Sequence, residues 1–104
     1  MVAWLVAALV TLTTDFGGAD GYVGAMKGVI TRLAPEARIV DVAHEVPRHD
    51  VAHAAWVVRT AWREFPIGTV HVVVVDPGVG GDRAEVVVAV DGHRFVGPDN
   101  GVFA

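Results

Sequence analysis

TVHVVVVDPGVGGDR, from Thr69 to Arg83, is the stretch whose reading decides the fold. Five of its first seven residues are valine, with only His71 breaking the run after Thr69. Such a run suits a strand buried on both faces, as in a parallel sheet under helices. It stops at Asp76, and Pro77, Gly78, Gly80 and Gly81 follow at once. A charge at the carboxyl end of a buried strand, leading into a turn-forming loop, is where open α/β sheets bind ligands. Arg83 closes the loop seven residues after Asp76, so a tight turn brings both charges to one spot. Taken alone, the stretch serves equally as a glycine loop with a solvated Asp and Arg.

Upstream, the uncharged segment Val2–Val10 opens the chain. It is too short for a bilayer, which needs about 20 apolar residues, and lacks the basic start and cleavage site of a signal peptide. It reads instead as the lead into a first strand, Leu5 to Leu12, that delivers Thr13, Thr14 and Asp15 to its carboxyl end. After Phe16-Gly17-Gly18-Ala19, Asp20 is a natural N-cap. The helix that follows carries Tyr22, Met26, Val29, Ile30 and Leu33 at helical spacing and stops at Pro35. A short strand, Arg38 to Val42, reaches Asp41, Ala43 and His44. Asp50 caps a second helix with Val51, Ala54, Ala55, Val58, Trp62 and Phe65 on its inner face, ended by Pro66. Trp56 and Trp62 are read as core. Beyond the valine run, the strands Glu85–Val90 and His93–Val96 flank Asp91-Gly92, a dipeptide that favours a hairpin turn. The fold class is α/β: a mostly parallel central sheet flanked by helices.

Composition narrows the function. The chain has 104 residues, 53% hydrophobic and 19% charged, which is globular rather than disordered. A net charge of −4 with one lysine, Lys27, and scattered arginines argues against nucleic acid. With no cysteine, disulfides and thiolate metal sites are excluded; this fits a cytoplasmic protein. His44 and His71 read as satisfied structural histidines, since no HxH or HxxxH pair includes either. His49 and His53 stand four apart, but His49 falls in the loop before the helix cap, which weakens a zinc reading.

Asp15, Asp41 and Asp76 end or follow strands, and in a parallel sheet such ends lie along one edge. Ionised carboxylates only accept hydrogen bonds, which suits the paired hydroxyls of a ribose; a cluster of acids also suits Mg²⁺. The glycine loop lacks the lysine and GxxxxGK[ST] spacing of a phosphate-binding loop, and GGADGYVG is not GxGxxG. The remaining ligand class carries hydroxyls and positive charge but no phosphate.

Four ordered motifs, TLTTDFGGADGYVGAMKGVI, IVDVAHEVPRHD, FPIGTVHVVVVDPGVGGDR and GPDNG, resemble the S-adenosyl-L-methionine hydroxide adenosyltransferase family. That family is related to the S-adenosylmethionine-dependent chlorinases and fluorinases, and the resemblance runs from Thr11 to Gly101. It implies attack by water or hydroxide on C5′ of S-adenosylmethionine, yielding adenosine and L-methionine. S-adenosylmethionine is then a substrate, and neither cofactor nor metal is implied. By the same resemblance, Asp15 looks like the ribose-binding aspartate, with Asp20, Gly21 and Tyr22 lining the nucleoside pocket. His49 stands where the fluorinase carries an aromatic beside the nucleoside. Asp76 and Arg83 resemble two members of an Asp–Arg–His set that holds and activates the attacking water. The halogenases carry tyrosine in place of the DPGVG acid and a small polar residue near Val79, so Asp76 points to the hydroxide-using branch.

The resemblance also implies that residues 1–104 are a truncated N-terminal domain, without the family's β-rich C-terminal domain and third catalytic residue. The full-length protein is then expected to form a homotrimer, bind neither nucleic acid nor membrane, and lose turnover when reduced to these residues. Two other classes compete: a nucleoside-binding module without turnover, or a metal-dependent phosphohydrolase on the acidic edge. A halogenase is the alternative within the family.

Overall fold

The computed structural model describes residues 8–104. They fold in the order β1 (Leu9–Thr14), α1 (Tyr22–Leu33), β2 (Arg38–Ala43), α2 (Val51–Ala61), a 3-10 turn at Trp62–Glu64, β3 (Val70–Val74), β4 (Glu85–Val90) and β5 (His93–Pro98). The expected strand at Leu5–Leu12 lies partly outside the described residues, and β1 runs two residues past Leu12. Its polar end is kept in the strand by parallel pairing on both sides, Thr13 with Ala43 and Thr14 with Val74.

One five-stranded sheet has the order β2-β1-β3-β5-β4. β1, β2, β3 and β5 pair in parallel, and only the β4–β5 hairpin is antiparallel. The hairpin turns at Asp91 and Gly92, whose φ values of 49° and 81° are those of a type I′ turn. No helix among the described residues is long and apolar enough to cross a membrane.

The valine run is not equally buried on its two faces. His71 and Val73 of β3 are buried, whereas Val70, Val72 and Val74 are half-buried. The deep face belongs to α2. Ala54 and Val58 close on Val73, Val75, Phe95 and Val102 to make the core, with Trp62 packed beside them. Burying a valine side chain is worth roughly 1.5–3 kcal/mol, so this cluster dominates the stability of the described residues. No residue of α1 is fully buried, and Tyr22 and Leu33 are largely exposed.

Local chemistry sets the helix ends. Asp50 caps α2, its Oδ1 accepting from the His53 N–H at 2.9 Å. Asp20 does not cap α1. Gly21 holds the N-cap position, and no side chain bonds the first turn. Trp62 meets His93 and Phe95 edge-on at 5.0 and 5.3 Å, as a core residue should. Trp56, read as core, is 58% exposed because α2 turns that position outward.

Gly97 is a close approach of β5 to β3. A Cβ there would stand 2.6 Å from the Val73 carbonyl oxygen and 3.0 Å from the Phe103 ring, so no larger residue fits.

Candidate active site

The chain leaves β1 on one side to make β2, then crosses back to make β3 on the other. The crevice at such a reversal, outside the carboxyl ends of the strands, is the favoured ligand site of an open α/β sheet. Asp15 follows β1 directly and Asp76 lies two residues beyond β3, on neighbouring strands flanking that reversal.

Asp76 is only 8% exposed and fully engaged. Its Oδ1 accepts from the Gly78 N–H at 3.0 Å, which shapes the turn. Its Oδ2 accepts from Arg83 Nε at 2.5 Å and from a terminal nitrogen of the same guanidinium. The loop between them needs its glycines: Gly80 has φ +81°, and a Cβ on Gly78 would sit 3.3 Å from Arg83 Cγ. Sequence spacing anticipated this pair. It did not anticipate Glu85, whose Oε1 stands 2.9 Å from the same guanidinium. The hydrogen bond that Arg83 donates to Asp76, with the charges of Asp76 and Glu85 adding to it, raises the Arg83 pKa above its ordinary value, so the guanidinium stays cationic.

Asn100 ties this corner down. Its Nδ2 donates to the carbonyl of Val75, the residue before Asp76, at 2.9 Å, while its Oδ1 accepts from the Val102 N–H at 3.2 Å. The signal lay in GPDNG, an Asn at a turn after a strand, but its partner is 25 residues away.

At the neighbouring strand end, Asp15 Oδ2 accepts from the backbone N–H of His49 at 2.8 Å. His49 reaches it with φ +63°, a left-handed backbone unusual for a residue with a side chain. The contact thus brings His49 to Asp15 through its main chain; its ring stays exposed. Asp20, Gly21 and Tyr22 sit on the exposed surface just beyond, where Phe16 and Tyr22 approach with ring centroids 6.2 Å apart. Asp41 is spoken for by other partners. It lies inside β2, bonded to Lys27 Nζ and His44 Nε2, each at 2.7 Å. Those bonds, Lys27 first and His44 second, hold its carboxyl below the usual range.

Among the described residues, no three His, Asp or Glu side chains are grouped to hold a metal ion. An apolar crevice lies elsewhere, between α2 and the hairpin, lined by Val58, Trp62, Val88, Phe95 and Phe103. The chemistry on the sheet edge is therefore that of two anchored carboxylates, one carrying a guanidinium.

The sequence and the fold can both be compared with known proteins. The chain is 45% identical over 100 residues to an (R)-S-adenosyl-L-methionine hydrolase of Methanocaldococcus jannaschii, a match covering 91% of this chain and 38% of that protein. It is 28% identical over 96 residues to a fluorinase of Nocardia brasiliensis, covering 92% of the chain and 32% of the fluorinase. The crystal structure of an uncharacterised conserved protein from Thermotoga maritima superposes with a TM-score of 0.87 at 44% identity, over 89% of this chain and 36% of that one. The chain thus spans about a third of the length of these relatives. A family model, the SAM hydroxide adenosyltransferase N-terminal domain, matches residues 10–104. A parallel sheet with an anchored carboxylate on each side of its reversal, and these matches over nine-tenths of its length, place the chain in the SAM hydroxide adenosyltransferase family as an N-terminal domain.

Proposed function

We propose that the chain is the N-terminal domain of an S-adenosylmethionine hydrolase and supplies the ribose-binding and water-holding half of its site. The observation that carries the reading is the Asp76–Arg83 pair, held at a strand end next to the one bearing Asp15. The names of the hydrolase relatives support the same activity.

In this reading the 2′- and 3′-hydroxyls of the ribose donate to Asp15, whose Oδ1 takes no hydrogen bond from the described residues. Tyr22 and His49 flank the nucleoside, with Asp20 and Gly21 at its rim. Asp76 and Arg83 orient one water in line with the C5′–S bond. The water oxygen bonds to C5′, and the C5′–S pair leaves on sulfur as the thioether of methionine. The water proton passes to Asp76 and on to solvent. A sulfonium needs no protonation to leave, so positioning accounts for much of the rate. Asp76 places negative charge where a halide would sit, and Val79 brings no hydroxyl, which favours water over halide as nucleophile.

The remaining two-thirds of the relatives' length supplies, in this account, a C-terminal domain and a third catalytic residue. Trimeric assembly and a cytoplasmic location complete the reading; the motif resemblance supports the first, and the cysteine-free composition fits the second. The test is incubation of the full-length protein with S-adenosylmethionine. Stoichiometric adenosine and methionine are expected. Adenosine binding without product would leave a nucleoside-binding module instead.

A further inference from the structure

A continuous run of hydrogen bonds ends on the turn that presents Asp15. Thr14 Oγ1 accepts from the Phe16 N–H at 3.2 Å. His44 Nδ1 lies 2.7 Å from the same hydroxyl, and His44 Nε2 lies 2.7 Å from Asp41 Oδ1. Lys27 Nζ closes the run on Asp41 Oδ2 at 2.7 Å. Its members come from α1, from β2 with the residue after it, and from the end of β1 with the loop beyond.

With His44 neutral, donor chemistry sets the direction of every bond. A carboxylate only accepts, so the proton of a neutral His44 sits on Nε2, facing Asp41. Nδ1 is then an acceptor, and the Thr14 hydroxyl must donate to it. That leaves the hydroxyl oxygen to take the Phe16 N–H, which can only donate. The Lys27 and His44 bonds hold the Asp41 carboxyl below its usual range, so the anchor stays charged.

The main chain repeats the connection. The His44 carbonyl accepts from the Gly17 N–H at 2.7 Å, and the His49 N–H reaches Asp15 at 2.8 Å. Segment 44–49 therefore grips the turn 14–17 at Thr14, Asp15 and Gly17. Thr–His–Asp is also the order of a nucleophilic triad, but the Thr14 side chain is fully buried and no ligand reaches it. The run positions; it does not attack.

We propose that His44, as its Nε2–H tautomer, is a positioning residue that sets the Asp15 turn through the Thr14 hydroxyl. The consequence for ligand affinity rests on the nucleoside reading of Asp15. Two substitutions separate the two ring nitrogens. His44→Asn puts an amide oxygen near the place of Nδ1 and keeps an acceptor for Thr14. His44→Gln reaches towards Asp41 but leaves Thr14 without its acceptor.

The experiment is nitrogen-15 NMR of the full chain. In the wild type, the His44 ring is expected to show a protonated Nε2 and a bare Nδ1 at neutral pH. In His44→Gln, the Phe16 amide is expected to exchange about tenfold faster and adenosine to bind about tenfold more weakly, the loss of one hydrogen bond. His44→Asn should recover most of both. A protonated Nδ1 in the wild type overturns the proposal, and that measurement needs no variant to fold. So does a Phe16 amide unmoved in His44→Gln, or faster exchange with unchanged adenosine affinity. If the wild type shows the expected tautomer and Phe16 responds to His44→Gln, but adenosine does not bind the wild type, the positioning stands and the nucleoside reading is what fails.

Discussion

Arg83 holds Asp76 by two nitrogens on one oxygen, with Nε at 2.5 Å, while the Gly78 N–H takes the other oxygen at 3.0 Å. The carboxylate is thereby fixed in rotation as well as position, and Oδ1, which takes only the Gly78 N–H, keeps lone-pair capacity for a water. A planar fork does this where a lysine, a point charge on a flexible stem, would not.

Asp76→Asn tests the role of that charge. The amide keeps the shape but cannot take a proton from water, and it sets an N–H₂ against the guanidinium if misoriented. Turnover by the full-length protein should fall by about 10²–10⁴-fold, the usual contribution of a positioned base. Adenosine affinity, measured by calorimetry, should change by less than about threefold, because binding in this account runs through Asp15.

Asp15→Ala should show the opposite division. Losing a charged acceptor for the ribose hydroxyls costs about 1.5–3 kcal/mol, or about 10- to 150-fold in adenosine Kd. The same change frees the His49 N–H, so the 44–49 segment should lose amide protection. Equal losses of binding in the Asp15 and Asp76 variants would contradict the assignment of roles.

How much of this was legible in sequence depends on how local each interaction is. The presence of a strand in the valine run, the Asp91-Gly92 hairpin and the Asp50 cap depend on neighbouring residues and read correctly. So did the Asp76–Arg83 pairing, because seven residues of glycine-rich loop leave little freedom. The hydrogen bonding of Thr14 and His44 was hidden, because their side chains meet across 30 residues. Thr11 and His71 bond across 60. Buried threonines at the end of β1 looked like loop for the same reason: their polar atoms are satisfied from other strands. The uneven burial of β3 was likewise invisible, since a valine reads alike under α2 and on a half-covered face.

His71 gives a pH dependence unrelated to the site. It lies in the core, between Thr11 Oγ1 at 2.7 Å and His93 at 3.1 Å, and burial first, then the nearby His93, lowers its pKa to about 4. The unfolded chain takes its proton near pH 6.5, the folded chain only near 4. Stability should therefore be unaffected by this group above about pH 6.5 and fall progressively between there and pH 4, by about 3 kcal/mol in all. Urea midpoints across this range should show the slope, and His71→Leu should flatten it. A wild-type profile flat from pH 7 to 4 would show that His71 is not held neutral.

Gly97→Ala should destabilise the fold, by roughly 1–3 kcal/mol, as overpacking does. The added methyl meets a backbone oxygen of β3 at 2.6 Å, which cannot move without disturbing the strand that carries Asp76. A lower urea midpoint together with lower turnover is expected. Unchanged stability would mean that β5 can shift away from β3.

The central claim, that Asp76 and Arg83 direct a water onto C5′, is tested most directly by a single turnover of the full-length protein in oxygen-18-labelled water. The account predicts that the label appears in the 5′-hydroxyl of adenosine and that methionine carries none. Unlabelled adenosine from that first turnover would contradict it, because the oxygen would then have come from a carboxylate of the protein, with Asp76 itself as nucleophile.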